Sequence, residues 1–450
     1  MSNTYDIAYR SLLALGSPLL VVNSRLRAKL RDAIETRNGV VARRTGTETC
    51  VMIHAVSVGE LNAARPLVDG LLRALPDAHI VITTTTTTGD ERAMELYGSK
   101  ANFTVARFPL DLSKYLKKFL DAVRPDLVVL MELELWPNFM ALCDERKIPV
   151  VVGNGRITEP SFRKYKLLGP ISRRMFSRVS ASLVQEEVYA QRFRDLGARD
   201  VRVVGTTKFD SASSSAPSGV DELTRVMGIV RGHSTIVAGS TGPGEEAVLL
   251  DFYARQLARD PTLQLIIVPR KPERFDEVAT LIQSRGFACA RRSRPDSIVS
   301  NSQRILLGDT MGELRKFYAL ADVVFVGRTL VDLGPKQHGS DMIEPAALGK
   351  AVIVGSFTGN FLEPMNAFRK AKAIVEVRDA GELGAAIDRL LRDRDEREQL
   401  GSAAQQVVEA QRGSTDRHLE VILPMMKSEN TRETPMPPKT NDSPDQSTIA

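Results

Sequence analysis

Cys50-Val-Met-Ile-His54-Ala-Val-Ser57-Val-Gly59-Glu60-Leu-Asn62 is the stretch from which the architecture can be read. Val51 to Ile53 is a short apolar run, as a strand buried on both faces requires. Gly59 marks a turn, and beyond it Leu61, Ala64, Leu67, Val68, Leu71 and Leu72 recur at helical spacing. Strand, turn and helix in this order open an α/β unit. Open α/β sheets bind ligands at the carboxyl ends of their strands, in the loops before the helices. That loop carries His54, Ser57, Gly59 and Glu60. A helix N-terminus favours an anionic side chain, so Glu60 reads as an ionised carboxylate facing a crevice. It reads equally as a first-turn acid that only caps the helix.

The alternation continues outward. Strand-like runs at 51–56, 79–85, 126–131, 149–153, 181–184 and 201–204 are separated by helical patterns near 60–74, 90–97, 111–122, 136–146, 161–177 and 186–196. This predicts a parallel, doubly wound sheet. Ser211-Ala-Ser-Ser-Ser-Ala-Pro217-Ser-Gly219 then has the composition of a linker. The alternation restarts with strands near 234–239, 263–268, 304–307, 322–326, 351–354 and 372–376. Two such sheets joined by one linker predict a two-lobed α/β protein with a cleft between the lobes. Residues 379–426 read as helices, and Asp393-Arg-Asp395 within them as a solvated face rather than a metal site.

With 450 residues, 43% hydrophobic and 26% charged, the chain has the composition of a globular protein of two to three domains. Cys50, Cys143 and Cys289 lie far apart beside apolar runs, as reduced buried thiols would. The five histidines are scattered, so no metal site is expected. Of the net charge of +6, most sits in residues 1–44, with eight basic side chains against three acidic ones. There Ala8 to Val22 is largely apolar and is followed by Arg25, Arg27, Lys29 and Arg31. This is too short to span a bilayer but suits a segment lying on an anionic membrane surface; a helix packed on its own domain is the other reading. Low aromatic content and no basic–aromatic interleaving argue against nucleic acid.

The second half holds three loops suited to anions. Pro269-Arg270-Lys271-Pro272-Glu273-Arg274-Phe275 places an arginine fork at a strand end. Gly308-Asp309-Thr310-Met311-Gly312-Glu313-Leu314 offers backbone N–H groups where a helix opens. Glu344-Pro345-Ala-Ala-Leu348-Gly349-Lys350 puts a carboxylate where ribose hydroxyls are commonly accepted. Each is weak singly; three at successive strand ends point to a nucleotide. In the first half, Glu132 and Glu134 follow the strand Leu127 to Met131. If that strand continues, they share one face, and two like charges there imply a polar pocket. The alternative is one acid in solvent and one paired with Arg124 or Arg156. Thr83 to Thr88 could line a sugar pocket or simply favour a strand. Lys208 ends the last strand of this half, within reach of a cleft or as a surface cation.

Together these residues resemble the signature of 3-deoxy-D-manno-octulosonic acid (Kdo) transferases. The motifs are H-x-x-S-x-G-E (His54, Ser57, Gly59, Glu60), E-x-E-L-W-P-N (Glu132 to Asn138), P-R-x-P-E-R-F (Pro269 to Phe275), G-D-T-M-G-E-L (Gly308 to Leu314) and E-P-A-A-L-G-K (Glu344 to Lys350). They run in order from about residue 5 to residue 425. The resemblance implies a GT-B glycosyltransferase, two Rossmann-like domains facing a central cleft, that moves Kdo from CMP-Kdo to a lipid A precursor at the cytoplasmic face of the inner membrane, by inversion and without a metal or other cofactor. It implies Glu60 as general base, with Glu132 or Glu134 and Lys208 supporting the transition state. CMP would be held by Pro269 and Arg270, by Met311, Gly312 and Glu313, and by the loop that ends in Glu344. His54, Ser57 and Gly59 are candidates on the acceptor side.

The expected division is a membrane-associating segment 1–44, an acceptor domain 45–210, the linker 211–219, a donor domain 220–410, a C-terminal helix 411–427 and a disordered tail 428–450. The chain also departs from the family pattern. Lys271 stands for a histidine, Gly327-Arg328-Thr329 for Gly-Gly-Ser, and Gly205-Thr206 for Gly-Asn. The loop before Glu344 is longer, and Asp341 stands for an asparagine. These departures bear chiefly on the donor. They keep open another nucleotide-sugar enzyme of the same fold, such as an epimerase, or a binding protein without catalysis.

Overall fold

The computed structural model describes residues 6–7, 31–294, 304–334 and 339–427, and the chain divides into two compact units. Unit 1 runs to Val204 and resumes at Thr415; unit 2 is Gly205–Ser414. Most of the segment expected to meet a membrane, the tail 428–450 and part of the long loop before Glu344 lie outside the described residues.

Unit 1 has seven strands: β1 Cys50–His54, β2 His79–Thr84, β3 Phe103–Arg107, β4 Leu127–Met131, β5 Val150–Gly155, β6 Ala181–Val184 and β7 Val201–Val203. They form one parallel sheet in the order β3-β2-β1-β4-β5-β6-β7. Every residue of β1 is buried. Cys50 and Met52 pack with Val128, Leu130 and Phe139 on one face, while Val51 and Ile53 pack with Leu67, Leu71 and Ile82 on the other. Helices on both sides of the sheet explain why this strand reads as a continuous apolar run. The strand order reverses between β1 and β4, and loops leaving such a point diverge and open a crevice.

Two details differ from the sequence reading. The helical pattern 161–177 is two helices, Glu159–Leu167 and Pro170–Phe176. They part at Gly169, whose φ is +50° and which precedes a proline, where helical backbone is disfavoured. The last helix, Ser414–Lys427, packs on unit 1, where Leu419, Val421 and Ile422 join the Val51/Ile53 face. Gly70 permits the approach, because a Cβ there would lie 2.7 Å from Leu419 Cδ1.

Unit 2 repeats the plan with β8 Thr235–Thr241, β9 Gln264–Pro269, β10 Ala288–Arg291, β11 Arg304–Leu307, β12 Val323–Val326, β13 Ala351–Gly355 and β14 Val375–Val377. The sheet is parallel, in the order β10-β11-β9-β8-β12-β13-β14, and it reverses between β8 and β12. The serine-rich stretch near 213 belongs to this unit, and Arg315 Nη2 donates to Ser213 O at 2.7 Å. Asp393 caps helix Arg394–Gln411, accepting the Glu396 N–H at 2.9 Å. No helix among the described residues is long and apolar enough to cross a membrane.

Candidate active site

The reversal point of unit 1 holds a pocket of about 260 Å³ lined by Glu60, Glu132, Glu134, Arg156, Ser161 and Tyr165, among others. Glu60 enters from the loop after β1. Ser57 is the N-cap of helix Val58–Ala74, and Glu60 is the third residue of that helix. Ser57 Oγ donates to Glu60 Oε1 at 3.1 Å and accepts the Glu60 N–H at 3.4 Å, while Val56 N–H donates to Glu60 Oε2 at 2.8 Å. This is a variant of the capping box in which the carboxylate takes the N–H of Val56, one residue before the N-cap, so Glu60 does cap the helix. It does not exclude the other role, because the same carboxylate lines the pocket. Burial, and next the charge of Glu132, push its carboxyl up to about 7, against the Val56 and Ser57 hydrogen bonds.

Glu132 and Glu134 reach the same pocket, though not by continuation of a strand. β4 stops at Met131, and Glu132 takes a left-handed backbone, φ +58°, with its N–H donated to Gly153 O at 2.9 Å. A non-glycine residue there is strained by about 1 kcal/mol, and such strain concentrates at functional sites. Glu134 Oε2 accepts the Trp136 indole N–H at 3.2 Å. Its carboxyl is raised, chiefly by burial, with Trp136 and Arg37 opposing. Three carboxylates in one half-closed pocket can take a proton and hold sugar hydroxyls.

The other candidates of this unit have supporting places. His54 is fully buried; its Nδ1 lies 2.9 Å from Thr83 Oγ1, its ring packs tilted on Phe108 with centroids 4.2 Å apart, and it is absent from the pocket lining. Burial drives its pKa down to about 3, so it is neutral. Gly59 is exposed at the helix start. The threonine run is used by the fold: Thr83 meets His54, and Thr86 caps helix Thr87–Tyr97. Asn138 of the E-x-E-L-W-P-N motif is buried, and the Asp111 carboxylate accepts the N–H groups of Asn138 and Phe139.

Unit 2 presents its candidates on loops at the carboxyl ends of its strands. Pro269 ends β9, and Arg270 follows with an exposed side chain while its N–H donates to Thr241 O at 3.1 Å. Met311 is exposed and Gly312 turns with φ +81°. Glu313 is committed elsewhere, to Thr310 Oγ1 at 2.6 Å, Lys316 at 3.1 Å and Arg292 at 3.0 Å. What Met311 to Glu313 offers a ligand is therefore the turn rather than the acid. Asp341 Oδ1 accepts the Ile343 N–H at 2.8 Å, and its carboxyl is raised by burial. Glu344 lies in the first turn of helix Ile343–Ala347, and burial, with Asp341 beside it, pushes its carboxyl up to about 7. Lys208 belongs to this unit: its Nζ lies over the Phe361 ring at 5.5 Å, and its charge acts on Asp341. Lys350 is structural, with Nζ donating to Ala321 O at 2.9 Å.

Sequence reasoning missed Ser161 and Tyr165, which sit on a helix with no buried residue and hence no apolar stripe. It also missed Glu245. This fully buried carboxylate accepts the N–H groups of Gly242, Arg328, Thr329 and Leu330 at 2.7–3.0 Å, tying the β8 loop to the β12 loop. Among the described residues no cluster of histidine, cysteine and acidic side chains could hold a metal ion.

A family model described as 3-Deoxy-D-manno-octulosonic-acid transferase (kdotransferase) matches residues 32–211, and one described as Glycosyl transferases group 1 matches residues 291–407. The chain is 33% identical over 436 residues to a 3-deoxy-D-manno-octulosonic acid transferase of Haemophilus influenzae, covering 93% of this chain and 98% of that protein. A protein of the same name from Bordetella pertussis is 33% identical over 382 residues, 83% of this chain and 86% of that one. Among solved structures, the UDP-GlcNAc 2-epimerase of Neisseria meningitidis bound to UDP-GlcNAc matches 84% of this chain and all of that one. Its TM-score is 0.54 at 12% identity, a likeness of fold alone.

Proposed function

The chain belongs to the 3-deoxy-D-manno-octulosonic acid transferase family, and from that premise we propose that it transfers Kdo from CMP-Kdo to a lipid A precursor, with inversion and with Glu60 as general base. It is a glycosyltransferase of GT-B fold. The observation that carries the mechanism is Glu60 at the reversal point of unit 1, held by Val56 and Ser57, with its carboxyl raised to about 7 by burial and Glu132. A base poised near the working pH is the one that best takes a proton.

In this reading Glu60 removes the proton of an acceptor hydroxyl while that oxygen forms a bond to the anomeric carbon of Kdo and the bond to the CMP phosphate breaks. CMP leaves with the bonding electron pair, and unit 2 stabilises it. Arg270 and Lys208 offset the charge that grows on the phosphate, and Glu344 accepts ribose hydroxyls. Glu132 and Glu134 hold the acceptor sugar. A leaving group with one phosphate is within the reach of side-chain cations, so the reading needs no metal.

A lipid-borne acceptor fits the surface beside the pocket. Ser161 and Tyr165 line the pocket from helix Glu159–Leu167, and Leu167 at the end of that helix is 87% exposed. Leu168 and Ile171 are exposed too, amid Arg163, Lys164, Lys166, Arg173 and Arg174. Apolar side chains ringed by cations suit an anionic bilayer surface, and we place the enzyme on the cytoplasmic face of the inner membrane. The test is purified protein with fresh CMP-Kdo and a lipid A precursor in detergent, read by mass spectrometry of the lipid. A gain of one or more Kdo masses, lost in Glu60→Gln while CMP still binds, is expected. Transfer that survives Glu60→Gln would assign the base elsewhere.

A further inference from the structure

Arg328 stands two residues past β12 with φ +60°, in the left-handed region that an arginine enters only at a cost. The backbone there is held from several sides. Its N–H donates to Glu245 Oε2 at 2.7 Å, and its carbonyl accepts the Gly339 N–H at 2.7 Å. The next two N–H groups, of Thr329 and Leu330, donate to Glu245 Oε1 at 2.9 and 3.0 Å. Just before it, Gly327 passes so close to the β8 loop that a Cβ would lie 2.5 Å from Thr241 Cα. Strain sustained by a surrounding that over-determines it is a mark of function, and here what the turn presents is a guanidinium.

That guanidinium has a counterpart. The stem of Arg328 runs over the β8 loop, since a Cβ built on Gly242 would stand 3.0 Å from Arg328 Cγ. From the other side, Arg270 follows β9 and donates its N–H to Thr241 O in that same loop. β9 and β12 are the two neighbours of β8, so both arginines flank one strand end, at the point where the sheet order reverses. Burial, and next the charge of Arg270, depress the Arg328 guanidinium, with Glu245 opposing. Neither arginine side chain makes a hydrogen bond or ion pair among the described residues, and Glu245 spends its oxygens on backbone amides. Two neighbouring cations whose side chains make no ion pair among the described residues suit an anion shared by both forks.

We propose that Arg328 is a donor-binding residue, closing with Arg270 on the phosphate of the nucleotide, and that Glu245 positions it. The proposal rests on the donor reading given above. It also answers the acids of this unit: Asp341 and Glu344 stand near the nucleotide, and a second guanidinium offsets the repulsion they exert on a phosphate.

The experiment is calorimetry on the full chain with CMP and with cytidine, which lacks the phosphate. Arg328→Gly relieves the strained φ and keeps the turn; Arg328→Gln, of similar length, is the second variant, and melting curves check that both fold. Both are expected to weaken CMP by about ten- to a hundred-fold, the range for a lost charge-assisted contact, and to leave cytidine unchanged. In Arg328→Gly the further change Asp341→Asn is expected to recover part of the CMP affinity. CMP binding unchanged in both variants while Arg270→Met weakens it would remove Arg328 from the site and leave the donor reading standing. Equal losses for CMP and cytidine would reduce Arg328 to loop structure and overturn the proposal. A parent chain that binds neither ligand would overturn the donor reading, and the proposal with it.

Discussion

Ser57 and Glu60 hold each other across one helical turn, the serine hydroxyl donating to the carboxylate at 3.1 Å and accepting the glutamate N–H at 3.4 Å. One contact thus starts the helix and tunes the base, because the Ser57 hydrogen bond works against the burial that raises Glu60. Activity that needs ionised Glu60 should rise with pH through about 7 and level above it. Ser57→Ala removes a bond to the charged form and should move that limb to higher pH, with a helix-cap loss of about 1 kcal/mol. Glu132→Gln removes the larger of the two acidic neighbours acting on Glu60 and should move the limb down in whatever activity remains, further than Glu134→Gln does. The pH dependence of kcat/KM for the three variants checks the order. A limb that none of them shifts would belong to another group.

The same carboxyl makes a claim about stability. Glu60 titrates at 4.5 in the unfolded chain and about 7 in the folded one. Between those values the folded state holds a proton that the unfolded state has released, so stability falls as pH rises through that window. Glu60→Gln should therefore be more stable than the parent at pH 8, by roughly 1–3 kcal/mol, and equal to it near pH 4. Urea melts at both pH values decide it; equal stability at pH 8 would mean that the carboxyl is not raised.

His54 works in the opposite sense. Its folded pKa of about 3 lies below the ordinary 6.5, because burial disfavours the charged ring. The unfolded chain takes up a proton that the folded one refuses, so this residue's contribution is complete above pH 6.5 and is lost as pH falls towards 3. His54→Gln should lose less stability than the parent between pH 6.5 and 4, by roughly 2–4 kcal/mol. Thermal melts across that range measure the difference, and parallel curves would mean that His54 is not a buried neutral ring.

What could be read from the sequence depended on burial. β1 was legible because both of its faces are covered, which forces Val51 to Ile53 into one apolar run. β3, Phe-Thr-Val-Ala-Arg, and β10, Ala-Cys-Ala-Arg, are partly covered edge strands whose small, polar and charged residues make no such run, whereas the edge strands β7 and β14 lie in valine-rich stretches, Val201 to Val204 and Ile374 to Val377. The site shows a related limit. Gly59-Glu60 and Gly244-Glu245 are spelled alike, and each glutamate stands near the start of the first helix after a sheet's first strand. One lines a pocket and the other is sealed in by four amides. Only the partner loop, after β12, distinguishes them, and it lies some eighty residues away. Strand alternation alone would bring Glu132 to the pocket, whereas the chain brings it there by a left-handed turn.

The two arginines of Pro269 to Phe275 should separate cleanly. Arg274 is buried against Glu246, which is fully buried, with Nη1 at 2.6 Å from Oε1, and it also holds Glu277 at 2.8 Å. Arg274→Met leaves the Glu246 carboxylate without its cation in a dry place, and such truncations cost about 3–5 kcal/mol. Changing Glu246→Leu as well removes the stranded charge and should return much of that loss. Arg270 is exposed, so Arg270→Met should alter stability by less than about 0.5 kcal/mol while weakening CMP. Melting and CMP titration on the same samples would show a destabilised chain that binds CMP normally while folded, and a stable chain that does not. If Arg274→Met kept its melting temperature and lost CMP, the buried pair would be a ligand contact, and the assignment of the two arginines would be reversed.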